Sequence, residues 1–284
     1  MDDAGLQTTD HCQSCGTPRD DKFCGACGEP RFDRHDLSMP HVIEHGIEGF
    51  THFDFKLPRT AWTLLTRPGR VEADILAGRQ VMYTKPFALF VVINLIYYFG
   101  ASALGLFSFQ TPARTQASQT FYAGYAANLF EREAASKGLS LADYYEKYDA
   151  LSQSISKTLP FLFTIVMALV LSILLIRHRR YVLEHYYVSL LWTARMLLVV
   201  LAVNFSMIPL PYVTRPLGDV NYEIVFTLLV TMVLTWTWYG TFRTVYAMGP
   251  VRATLTGAAA TLAFLVILVM IYRPLLMHLT VAML

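Results

Sequence analysis

Charge is scarce in this sequence. Asp, Glu, Lys and Arg make up 15% of its 284 residues, against a hydrophobic share of 54% and a mean hydropathy of +0.39. A soluble domain carries about a quarter charged residues and cannot set long uncharged runs side by side without exposing large apolar patches. The shortage is uneven: residues 1–85 are polar and charge-rich, whereas 86–109 and most of 158–284 are nearly charge-free. The formal net charge of +2 is too small to argue for a nucleic-acid partner, and none is expected. A Walker loop, a GxSxG elbow and a dinucleotide fingerprint are also missing, which argues against an NTPase, a serine hydrolase and a nucleotide oxidoreductase. The first residues are acidic and no apolar h-region precedes Phe50. The N-terminus is therefore expected to stay in the cytoplasm.

Cysteine is equally sparse, yet its placement is informative. All four cysteines fall in Cys12-Gln13-Ser14-Cys15-Gly16 and Cys24-Gly25-Ala26-Cys27-Gly28. In a reducing compartment, two C-x2-C turns separated by eight residues point to a metal site rather than to disulfides. Each turn presents two thiolates, and the glycine that follows tolerates the left-handed backbone of such a knuckle. Facing knuckles give a tetrahedral S4 set that suits Zn2+. Iron would use the same ligands, and a redox dithiol pair is the competing reading. With four thiolates bound, no position remains for water, so Cys12, Cys15, Cys24 and Cys27 are expected to hold a structural zinc.

Five segments approach the roughly 20 apolar residues needed to cross about 30 Å of hydrocarbon: 86–109, 158–176, 186–212, 224–246 and 253–276. The sequence thus predicts an all-α polytopic membrane protein with about five transmembrane helices and a small N-terminal zinc ribbon. Its organisation reads as a ribbon (1–36), a cytosolic amphipathic juxtamembrane segment (37–85) and a bundle (86–284) with an extracytoplasmic helical hairpin at 110–157. Bases flank the spans on one side: Lys56, Arg59, Arg67, Arg70, Arg79, Lys85, Arg177, Arg179, Arg180, Arg243 and Arg252. The positive-inside rule puts that side in the cytoplasm and, with five spans, the C-terminus outside. The loop at 215–219 would face outward.

Within 59–86 lies a distinctive box: Arg59-Thr60, Leu64-Leu65-Thr66-Arg67-Pro68-Gly69, Leu76-Ala77-Gly78-Arg79, Tyr83 and Pro86. With the double C-x2-C ribbon before it and Tyr181-Val182-Leu183-Glu184-His185 after it, the chain resembles an uncharacterised bacterial family. In that family a zinc ribbon precedes an RPG…GxR…Y…P box and several membrane helices. The resemblance implies this architecture and a bacterial inner membrane, and it carries no reaction. Physically, the box suits a membrane-surface element. Pro68-Gly69 breaks two short helices, arginines meet lipid phosphates, and Trp62, Leu64, Leu65, Ile75 and Leu76 lie in the interface. Arg67, Arg70 and Arg79 are candidates for an anionic lipid or ligand.

Arg195 is the most costly residue of the bundle, an ionised group in the middle of a span. Asn94, Tyr97, Tyr239 or a carbonyl in the outer half of the bundle are its candidate partners, because Glu184 lies about 16 Å away along the helix. A structural bond between helices and a solute pathway through Asn94, Arg195 and Asn204 are both open. Glu184 and His185, at the mouth of that span, either offset the basic turn at 177–180 or handle a proton or ligand. His41-Val42-Ile43-Glu44-His45 matches the inverted protease motif H-x-x-E-H, with Glu48 or His52 as a third ligand, but its alternation also fits an amphipathic surface helix. Trp236, Trp238, Tyr239 and Tyr246 read as an interfacial aromatic belt. Small residues at 101–105 and 257–261 suit close helix contacts.

Three function classes follow. The first is an interaction, assembly or regulatory membrane protein with the ribbon as a docking head for a cytosolic protein. The second is a transporter, channel or lipid-handling protein, and the third a membrane metallo-hydrolase. An enzyme is the less favoured class and no catalytic residue is named. The lipid bilayer is the expected partner, with an anionic lipid and self-association as further candidates.

Overall fold

Proline opens several of the helices, because at a first helical position its missing N–H is not needed and its φ is already helical. The computed structural model describes residues 11–18, 21–31, 56–104, 109–178, 181–208 and 222–284. Every regular element among them is a helix, and extended backbone pairs only at the isolated bridges His11–Pro18 and Phe23–Pro30. Two short helices, α1 (Leu57–Thr66) and α2 (Arg70–Leu76), precede α3 (Pro86–Leu104). Next come α4 (Ala113–Gln119), α5 (Ala123–Ser136), α6 (Leu141–Ser156) and α7 (Pro160–Leu174). The bundle is completed by α8 (Val182–Met207), α9 (Tyr222–Thr244), α10 (Pro250–Ile267) and α11 (Arg273–Met283), the last two joined by a π turn at Leu268–Tyr272.

Helix α8 is the centre of the molecule. Its apolar stretch is 72% buried, against 22% for α9 and 28% for the α10–α11 rod, because α1, α2, α3, α7 and α9 all pack on it. The outer helices keep apolar faces bare: Ile165, Leu169 and Ile173 on α7, Leu228 and Met232 on α9, Leu255 and Leu262 on α10. Such a belt is what a lipid-facing surface needs and what a soluble surface avoids.

Three helices are long and apolar enough to cross a membrane: α8, α9 over Ile224–Thr244, and the rod Pro250–Met283. The pair α6–α7 makes a fourth if its 55° bend is counted as one broken span. The expected five are thus three or four on length and composition. Helix α7, at 15 residues, extends only about 23 Å, and the apolar part of α3 is the short helix Pro86–Gly100.

The α6–α7 bend has a chemical cause. Pro160 has no N–H to return to the carbonyl four residues earlier, that of Ser156. Tyr98 Oη of α3 donates to that carbonyl at 2.5 Å, and Asn94 Nδ2 donates to the next one, Lys157, at 3.0 Å. A break inside an apolar environment persists only when neighbours satisfy the freed groups, and two polar side chains of α3 do so here.

The region expected as a two-helix hairpin contains three helices, α4, α5 and α6. They have their own core of Phe130, Tyr144 and Tyr148, which closes on Met277 of α11. Gln116 Nε2 donates to Tyr148 Oη, and the Asp149 carboxylate accepts from the N–H of Ala113 at the start of α4. Burial raises the Asp149 carboxyl above the usual range, against the lowering effect of that hydrogen bond.

The largest departure concerns the box. Instead of lying along a surface, α1 and α2 are packed into the bundle. Leu64, Val71 and Ile75 are fully buried in the main core, Leu65 and Leu76 pack at its edge, and only Trp62 stays outside at 68% exposure. The turn between the helices decides this. Gly69 adopts φ +85°, and a Cβ there would lie 2.8 Å from the carbonyl oxygen of Gly240. A Cβ on Gly240 would fall 2.6 Å from Pro68 Cβ. Two glycines facing each other let the Pro68-Gly69 turn touch the backbone of α9. Gly240→Ala is expected to cost about 1–3 kcal/mol, as overpacking of a rigid contact does. Denaturation of the purified protein in detergent measures it, and an unchanged midpoint would show that the turn is not held there.

The supposed aromatic belt divides as well. Trp236 is half exposed, but Trp238 is fully buried, stacked on Trp192 at 4.5 Å and on Phe242 at 5.2 Å. Gly257 does bring α10 close to α9, its Cβ position 3.3 Å from Tyr239 N. Of the segment 101–105, residue 105 lies outside the described residues.

Candidate functional site

The two cysteine turns form the same structure twice. Gly16 N–H bonds to Cys12 O and Gly28 N–H to Cys24 O, with both glycines at φ +74°. Cys12 N–H bonds to Thr17 O and Cys24 N–H to Glu29 O. The knuckles face each other so that all four Sγ atoms lie within 4.8 Å, with Cys12–Cys27 and Cys15–Cys24 each at 3.5 Å. Four ligands at about 2.3 Å around one ion would put the sulfurs about 3.8 Å apart. The set therefore fits a single metal ion, and the donors are the soft thiolates that zinc or iron accepts. Hydrogen bonding to Thr17 pulls the Cys15 thiol down to about 6. For Cys27 the backbone hydrogen bond at Glu29 lowers the value, but burial and the neighbouring thiols outweigh it and push the thiol up to about 12.

Glu29 carries a second role that sequence reasoning missed. It is only 1% exposed, and its carboxylate accepts from the backbone N–H groups of Gln80 and Val81, each at 3.1 Å, and from Ser14 Oγ. The signal was present in the internal repeat. Cys12-x-x-Cys15-Gly16-Thr17-Pro18 and Cys24-x-x-Cys27-Gly28-Glu29-Pro30 match except that threonine becomes glutamate. That substitution ties the cysteine head to the box. Glu29→Ala is expected to speed hydrogen exchange at the Gln80 and Val81 amides about tenfold, the loss of a charge-assisted bond. Equal exchange in both proteins would show that the head is held by other contacts.

Asp74 organises the box from its centre. It is 2% exposed and takes Arg70 Nε at 2.9 Å, Arg79 Nη2 at 2.5 Å and the Tyr83 hydroxyl at 2.7 Å. Its charge raises the guanidinium of Arg70, while burial and then Asp74 raise the phenol of Tyr83. Of the three arginines singled out in the sequence, Arg70 and Arg79 thus share one carboxylate, and Arg67 is exposed at the end of α1. Thr60 links the start of α1 to the approach to α3, its hydroxyl accepting from Thr84 N–H.

Arg195 finds its partners in the box rather than among the expected bundle residues. Its Nη2 donates to Glu72 Oε1 at 2.5 Å, its Nε to the carbonyl of Leu64 at 2.6 Å, and its Nη1 to Thr241 Oγ1 at 3.2 Å. Both side chains of this pair are completely buried. Asn94, Tyr97 and Tyr239 do not supply these bonds. Glu72 was unmarked in the sequence because it sat in a segment read as a surface element.

The other polar residues do not converge on Arg195. Asn94 serves the α6–α7 bend, and Asn204 Nδ2 donates to Val200 O of its own helix. Glu184 and His185 are buried at the start of α8. His185 Nδ1 and Tyr246 Oη are 2.8 Å apart, with their rings stacked. His41, Glu44, His45, Glu48 and His52 lie outside the described residues, as do Arg179, Arg180 and the loop at 215–219.

Together these features define a helical protein with spans fit for a membrane and a four-cysteine head able to hold a metal ion. Residues 54–98 match the model of a protein family of unknown function, DUF3667. That stretch holds the box and most of α3, including Glu72, Asp74, Arg79 and Asn94. Comparison with curated proteins and with solved structures gave no match.

Proposed function

We propose that this chain is an integral protein of the bacterial cytoplasmic membrane that serves as an interaction or assembly platform. Its metal head, read as a structural zinc ribbon, is the docking surface for a cytosolic protein. The reading has five crossings, α3 and α7 included as short spans, with the N-terminus in the cytoplasm and the C-terminus outside. The observation that carries it is the buried Glu29 carboxylate, which fixes the head to the box while the box is fixed to α8 through Glu72 and Arg195. A head that only needed to fold would not need this attachment to the bundle. The ring of Phe23 stands 57% exposed beside Cys24 and is the apolar feature such a partner would use.

Purification in mild detergent followed by protein and lipid mass spectrometry tests the proposal. It expects a stoichiometric cytosolic protein that is retained by the intact chain and lost with Phe23→Ala. A preparation with no protein at stoichiometric yield, but with a retained solute, would favour the transport reading instead. That reading has less support, because Asn94, Arg195 and Asn204 are each committed to separate structural bonds. The metallo-hydrolase reading rests on the H-x-x-E-H motif at 41–45, which lies outside the described residues, or on Glu184 and His185.

A further inference from the structure

We infer that the outer face of the box is a binding site for the phosphate group of an anionic phospholipid. The face is an open cavity of about 530 Å3 lined by Arg59, Trp62, Thr63, Thr66, Arg67, Arg70, Met82 and Tyr83. Arg59, Trp62, Thr63 and Thr66 recur at the three- and four-residue spacing that aligns side chains on one face of α1. Among the described residues, three guanidinium groups line the cavity and no carboxylate does.

The charge balance around it is one-sided. Residues 56–85 contain six bases and two acids, Glu72 and Asp74. Glu72 is consumed by Arg195, and Asp74 by Arg70 and Arg79. Arg59 and Arg67 have no carboxylate partner among the described residues. The threonine hydroxyls cannot replace the guanidinium groups as donors, because Thr63 and Thr66 already donate to the carbonyls of Arg59 and Trp62. The charged donors left to the cavity are guanidinium N–H groups, whose planar fork matches two phosphate oxygens. Arg79, one of the three arginines expected to meet a headgroup, is engaged by Asp74, and Arg59 takes its place.

A lipid fits better than a soluble anion because of the rim. Trp62 is 68% exposed and Met82 39% exposed beside the arginines, and tryptophan prefers the level of the lipid headgroups. The cavity also lies three residues from Pro86, where the apolar helix α3 begins. An acyl chain beside that helix and a phosphate between Arg59 and Arg67 are compatible with one molecule.

The test uses the full chain in detergent, titrated with phosphatidylglycerol or phosphatidylcholine and read by native mass spectrometry. The expected result is preferential binding of phosphatidylglycerol that Arg59→Gln with Arg67→Gln weakens roughly thirtyfold at low salt. Arg59→Lys with Arg67→Lys should retain most of the preference. Neither arginine side chain has an ion pair or hydrogen bond among the described residues, so the melting midpoint should not move; if the double variant unfolds, each single change should still weaken binding roughly fivefold. Inorganic phosphate is titrated in parallel, and displacement of lipid by high phosphate supports the shared chemistry. Unchanged phosphatidylglycerol binding in a folded double variant overturns the inference. So does phosphate binding that needs Arg59 and Arg67 while lipid binding does not, because the occupant is then a soluble anion.

Discussion

Arg195→Leu is expected to be the most destabilising single change in the membrane bundle, at about 3–5 kcal/mol. The loss comes less from the missing attraction than from what remains. Glu72 would be left fully buried without its ionic partner, and its Oε2 already has no hydrogen-bond partner among the described residues. The Leu64 carbonyl would lose its Arg195 donor as well. Because the pair joins α2 to α8, the damage should spread to the box and release the Pro68-Gly69 turn from α9. Glu72→Leu alone should be similarly harmful, as it strands the guanidinium. The double change Glu72→Leu with Arg195→Leu should recover much of the loss, since an apolar pair in place of a buried ion pair is often neutral. Denaturation of the four proteins in one detergent gives the coupling directly. Two single variants within about 1 kcal/mol of the parent would show that the pair is not what holds the box in the bundle.

Cys24→Ser should have the second large effect, on the head. Cys24 is 2% exposed, its Sγ lies 3.5 Å from Cys15 Sγ, and its N–H holds the turn through Glu29 O. Serine keeps the size but offers a poor metal donor, leaving three thiolates. For a segment this short the ion supplies folding energy of about 10–16 kcal/mol in comparable zinc modules, so losing a ligand removes metal and structure together. Metal analysis should show about one ion per intact chain and far less in the variant, and will also tell zinc from iron. Because Glu29 is five residues from Cys24, the Gln80 and Val81 amides should lose protection too. Full metal retention by Cys24→Ser would remove the four-thiolate assignment.

The two experiments separate two attachments in one chain of contacts. A metal ion on the four cysteines would position Glu29, Glu29 holds the loop after α2, and α2 holds Arg195. If the head docks a cytosolic protein, that event is mechanically connected to the core of the bundle. The basic cavity lies on the same box, so lipid and protein would meet the same rigid element.

The sequence by itself determined the elements whose physics is local. The cysteine spacing specified the facing knuckles, since a C-x2-C turn with a following glycine closes on itself. Long apolar runs specified the helices α8, α9 and α10–α11, because hydropathy over twenty residues needs no partner to be read. What the tertiary structure decided was everything that depends on a neighbour. The box reads as amphipathic, and an amphipathic helix buries its apolar face equally well against lipid or protein. Only Gly240, some 170 positions away in the chain, admits the Gly69 turn and settles the matter. Arg195 announced a partner by its cost, yet any acid able to reach it would serve, and Glu72 lay in a segment read as surface. The helix break at Pro160 was legible as a proline, whereas its tolerance required Tyr98 and Asn94 from α3. Composition and spacing settle which groups must be satisfied; the fold alone settles by whom.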